Sequence, residues 1–73
     1  MEPSRIRTLL DAQPFVPFAV TTTRIGTISI PSARLALLTR STLFVGQNVD
    51  ADGLPERAAA VALAQITGIV AGG

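Results

Sequence analysis

The chain has no cysteine and no histidine among its 73 residues. Without cysteine there can be no disulfide and no thiolate metal site. Without histidine, the commonest zinc ligand and the commonest general base are both missing. Lysine is absent as well, so the six cations are all arginine, at 5, 7, 24, 34, 40 and 57. Set against five carboxylates they leave a formal net charge of +1, which is not the charge of a polycation. Tryptophan and tyrosine are missing too, leaving Phe15, Phe18 and Phe44 as the only aromatic residues.

These absences exclude most chemistry. The Ser and Thr hydroxyls have no His, Lys or Cys to activate them. Glu2, Asp11, Asp50, Asp52 and Glu56 are the only carboxylates, and the close pair, Asp50 and Asp52, lies on a polar loop where solvent keeps a catalytic dyad from forming. No glycine-rich phosphate cradle is present. The expectation is a protein that is not an enzyme and has no cofactor and no metal site. Nucleic-acid binding calls for a basic stripe or stacking platforms. Arg24, Arg34 and Arg40 fall near turns and are the candidate contacts for it, whereas the three Phe sit in apolar strand contexts that suit a core.

The length implies a single domain, residues 1–73. A core this small rarely supplies much net stability alone, and with disulfides and thiolate metal sites excluded the remaining staple is oligomerisation. The missing cysteine suits a cytoplasmic location. Asp11, Gln13 and two prolines interrupt the apolar stretch behind Arg5 and Arg7, so no secretory signal is read there. The longest uncharged run, from Ala58 to Gly73, is shorter than a span of roughly 20 residues, so no membrane is expected as a partner.

What is present is patterned. Ile6, Leu9 and Leu10 form one apolar stripe at helical spacing, which predicts a helix over 3–12 with Pro3 in its first turn and Pro14 as its stop. Residues 15–23 read as a first strand, and Pro14 and Pro17 confine its start to an edge or a bulge. Residues 27–30 alternate Ile28 and Ile30 against Thr27 and Ser29, a second strand, with Gly26 suited to the hairpin turn. Ser32 can cap a helical turn over 33–38, with Leu35 and Leu38 facing inward. Residues 42–47 form a third strand in which Gly46 is a candidate bulge. A polar loop follows over 48–55. Its Asn48, Asp50, Asp52 and Gly53 match the opening of a calcium loop, but Ala59 stands where the closing bidentate carboxylate belongs. A solvated turn is the better reading.

Residues 56–64 admit two readings. Ala, Leu, Glu and Arg favour a helix on propensity. Alternation of Val61 and Leu63 with Ala60, Ala62 and Ala64 favours a strand, and it runs on through the β-branched Ile66, Thr67, Ile69 and Val70.

The chain resembles a family of small uncharacterised bacterial proteins. The resemblance rests on LLDAQPFVPFAV (9–20), with its Pro-Phe strand start, on GTISIP (26–31), on TLFVG (42–46) and on AQITGIV (64–70), with its closing I-T-x-I strand. It implies a strand rather than a helix at the Ala-rich segment. Family members often carry Asp-Gly-Arg in the hairpin and His-Pro after the second strand. Arg24-Ile25-Gly26 and Pro31-Ser32 stand there in this chain, so no role of that His carries over. More distantly, the order helix, hairpin, strand, strand, short final strand is similar to Sm-like ring proteins. That likeness implies a small barrel and closure through the edge strands of neighbouring subunits.

The expected fold is therefore α+β and mainly antiparallel, an N-terminal helix on about five short strands in a small SH3- or Sm-like barrel or sheet. The expected function is a structural or interaction module that self-assembles into a homo-oligomer, as a ring or an open assembly, through apolar strands. Phe44, Val45, Val61, Leu63, Ile66, Ile69 and Val70 are the expected interface residues. Two alternatives stand beside this reading. In one, Ala58 to Ala64 simply fills a monomeric core. In the other, the chain is a ring-shaped nucleic-acid binder with Arg24, Arg34 and Arg40 on a rim.

Overall fold

Ile6 decides how the molecule begins. It lies on the inner face of helix α1 (Pro3–Asp11) and is fully buried, while Leu9 and Leu10 on the same stripe pack against the core. Pro3 occupies the first turn, where its missing N–H has no helical partner to lose. The computed structural model describes residues 1–71. None of its helices is long and apolar enough to cross a membrane.

Strand β1 (Phe18–Thr22) starts later than expected from residue 15, because Pro14 and Pro17 cannot donate to a ladder. Phe15 lies outside the strand and sets its ring 6.0 Å from that of Phe18. Strand β2 (Thr27–Ile30) pairs antiparallel with β1, Val20 opposite Ile28 and Phe18 opposite Ile30. In the hairpin, Gly26 has φ of 89° and its carbonyl accepts from the Thr22 amide at 2.8 Å.

The helical turn expected over 33–38 is half right. Ala33–Leu35 is a 3-10 turn, but Ala36–Leu38 is strand β3. Its partner explains the difference: Ala36, Leu37 and Leu38 pair with Val45, Phe44 and Leu43 of β4 (Thr42–Val49). Ladder bonds here outweigh a helical propensity worth only tenths of a kcal/mol per residue. Leu38 turns inward as expected, whereas Leu35 lies beside Gly46.

The Ala-rich segment is strand β5 (Pro55–Ala62), paired along its length with β4. The register passes through Gly46 without a shift, so Gly46 is not a bulge. The irregularity falls elsewhere, between Thr21 and Thr22, where β1 meets β6 (Ile66–Ala71). A second 3-10 turn, Leu63–Gln65, joins β5 to β6.

The result is α+β and mainly β: one N-terminal helix and six antiparallel strands in two three-stranded sheets, ordered β2-β1-β6 and β3-β4-β5. The sixth strand is β3. The core draws Phe18, Val20, Ile28 and Ile30 from the first sheet and Leu43, Val45 and Val61 from the second, with Ile6 from the helix.

Candidate self-association surface

Period-two alternation divides the β3-β4-β5 sheet into two faces. Leu43, Val45 and Val61 point into the core and are fully buried. The alternate positions point out: Leu37 on β3, Phe44 and Gly46 on β4, and Ala58, Ala60 and Ala62 on β5. An antiparallel sheet with one solvated face ordinarily carries polar residues there. Here the polar residues of that face, Thr42, Asn48 and Glu56, fall toward the ends of the strands, and the middle is apolar. Leu37 is 64% exposed, and Leu54, in the loop before β5, is 65% exposed.

The expected interface residues divide accordingly. Val45 and Val61 are fully buried, and Leu63 and Ile66 are 4% and 5% exposed, all within the core of one copy. Their side chains therefore contact their own protomer and are not available to another. Ile69 is half-buried against the same core from β6. Phe44 is half-buried on the outer face, and Val70 is 52% exposed on β6. The available apolar surface is instead made by the neighbours of the buried residues, Ala58, Ala60 and Ala62 beside Val61, and by Leu37 and Leu54. The alternation of Val61 with alanine already carried this signal; Leu37 and Leu54 had none, because neither lay in a strand expected from the sequence.

Strand edges give the surface its second property. Among the described residues, β5 pairs with β4 on one side only, and β6 pairs with β1 on one side only. The stretch Ala58–Ala62 has neither a charge nor a proline. Pro55, Glu56 and Arg57 guard the first three positions of β5, and beyond them the edge presents unpaired backbone groups with neither charge nor proline.

Arg24, Arg34 and Arg40 are exposed and close to turns, as expected, but they line three separate hollows. Arg24 sits with Ile25, Ala60 and Gln65. Arg34 sits at the groove on the outer face of the β3-β4-β5 sheet. Arg40 sits with Arg7, Ser4 and Thr39. The pair brought to one hollow, Arg7 and Arg40, was not foreseen. Of the aromatic rings, Phe18 is buried, while Phe15 and Phe44 are half-buried.

The loop after β4 is a turn closed by its own side chain. One Asp50 carboxylate oxygen, Oδ1, accepts from the Asp52 amide at 3.0 Å and from the Leu54 amide at 2.9 Å. Asn48 adopts a left-handed φ of 56°. No group of three or more His, Cys, Asp and Glu that could hold a metal ion is found among the described residues.

No protein-family model matches the chain, and neither does any curated protein or solved structure.

Proposed function

We propose that this protein is a structural or interaction module that assembles with copies of itself through free strand edges. The observation that carries the reading is β5. It stands at the edge of its sheet with the uncharged, proline-free stretch Ala58–Ala62 along the open side. Natural proteins usually block such edges with charges, prolines or bulges, and β5 carries these only in its first three residues, Pro55, Glu56 and Arg57. Here alanine side chains leave room for another strand to approach.

Two further features support it. β6 is a second free edge and carries the exposed Val70. A contact between unlike edges is heterologous, so it builds a ring if its rotation closes and a filament if it does not. The connectivity also fits the two halves of a small SH3- or Sm-like barrel. One 3-10 turn carries the chain from β2 in the first sheet to β3 in the second, and another returns it from β5 to β6.

Sedimentation equilibrium at micromolar concentration tests the reading. The expected mass is at least twice the 7.6 kDa of one copy. Ala60→Lys should lower it toward that of one copy while leaving the far-ultraviolet circular dichroism unchanged. A wild-type chain that stays folded and single throughout the concentration range overturns the assignment.

A further inference from the structure

The loop between β4 and β5 carries a chemically reactive peptide link, Asp52-Gly53. An aspartyl side chain closes a five-membered ring when the nitrogen of the next residue attacks its carboxyl carbon. A Cβ on that next residue crowds the attack, and glycine has none. Asp11 and Asp50 are both followed by alanine, and Asn48, which can close the same kind of ring, is followed by the β-branched Val49. Asp52 alone is followed by glycine. It is exposed, and its carboxylate enters no ion pair among the described residues.

The fold restrains the attacking nitrogen. The Gly53 amide donates to the Asp50 carbonyl at 3.0 Å. An amide engaged in this way keeps its proton and is a poor nucleophile. The side chain of Asp50 fastens the same turn, since its Oδ1 accepts from the Asp52 amide at 3.0 Å and from the Leu54 amide at 2.9 Å. Three consecutive amides, at 52, 53 and 54, are thus held by one residue.

We propose that Asp52 is the site at which this chain rearranges spontaneously to isoaspartate, and that the hold of Asp50 on the loop sets the rate. The Gly53 nitrogen bonds to Cγ of the protonated Asp52 carboxyl, and the amide hydrogen and the carboxyl hydroxyl leave together as water. A water molecule then opens the ring. Opening at Cγ restores aspartate. Opening at the backbone carbonyl carbon of Asp52 leaves the main chain running through the side chain. Nothing is oxidised, and the mass is unchanged. The rearranged backbone is one atom longer between the Asp52 and Gly53 amides, so the three amides no longer match one acceptor residue and the approach to β5 loosens.

The proposal does not rest on edge assembly. The wild-type chain, Asp50→Ala, and synthetic peptides of residues 48–57 with and without that substitution are held for weeks at neutral pH. Isoaspartate is counted by enzymatic methylation and located by mass spectrometry of proteolytic fragments. It should form at Asp52 about tenfold more slowly in the folded wild type than in its peptide, as breaking one hydrogen bond before the attack implies. Asp50→Ala should lose most of that protection relative to its own peptide, with its far-ultraviolet circular dichroism unchanged. Hydrogen exchange on the wild type makes a second test, in which the Gly53 amide should be protected. The proposal is overturned by isoaspartate arising first at Asp11 or Asp50, by equal rates in the folded wild type and its peptide, by full protection in Asp50→Ala, or by a freely exchanging Gly53 amide.

Discussion

The ring of Pro55 occupies the space that a side chain at Gly46 would need. A Cβ on Gly46 would come within 2.9 Å of the Pro55 Cβ and 3.0 Å of its Cγ. The two residues lie on paired strands, so neither can move without disturbing the β4–β5 ladder. Gly46→Ala should therefore destabilise the fold by about 1–3 kcal/mol, the usual magnitude for overpacking. For a domain of this size each kcal/mol lowers the thermal midpoint by about 4–8 °C. An unchanged midpoint in thermal unfolding would show that the ring yields freely.

Gly26 is demanded for a different reason, and the two glycines can be told apart. Nothing lies within 4 Å of a Cβ built there, but its φ is 89°. The cost of Gly26→Ala is then purely conformational, about 1–2 kcal/mol. Asn tolerates a left-handed backbone better than Ala does. Gly26→Asn should accordingly be the milder of the two substitutions in urea unfolding, while Gly46→Asn should be worse than Gly46→Ala. Equal midpoints for Gly26→Ala and Gly26→Asn would sink the backbone explanation.

Elements whose residues settle their own conformation were legible before the fold was known. Ile28 and Ile30 alternate cleanly between short polar neighbours, and β2 has the predicted bounds. The helix ends one residue before the predicted position, where the approach of Pro14 is felt. Elements settled by a distant partner were not legible. Residues 36–38 have good helical propensity and become a strand because β4 lies beside them. Residues 56–64 were ambiguous for the same reason. The candidate surface suffered from a related gap. Alternation shows that Val61 and Ala60 face opposite ways, but only the packing of the two sheets shows which of them faces in. It is Val61, so the expected interface residues on that stripe became core, and the alanines became surface.

That inversion can be tested at adjacent positions of one strand. Val61 is fully buried, and an unpaired ammonium there has no partner to compensate for its lost hydration. Val61→Lys should abolish the cooperative unfolding transition. Ala62 is exposed on the opposite face. Ala62→Lys should leave the stability of a single copy within about 0.5 kcal/mol of the wild type, as surface changes usually do. Chemical denaturation followed by circular dichroism distinguishes the two. Comparable destabilisation by both substitutions would mean that the strand is facing the wrong way.

The Asp50 carboxylate sets the shape of the β4–β5 loop from within. Its Oδ1 accepts both the Asp52 and the Leu54 amides, and the Asp50 carbonyl accepts the Gly53 amide at 3.0 Å. A carboxylate turned toward its own backbone is poorly placed to share a cation with Asn48 and Asp52, despite the calcium-like spacing. Asp50→Ala removes two accepted hydrogen bonds in a solvated loop and should lower stability by about 0.5–1.5 kcal/mol. Addition of calcium to the wild type should leave its thermal midpoint in place. A rise of several degrees at low millimolar calcium, lost in Asp50→Ala, would mean that the carboxylate exchanges its amide partners for the ion.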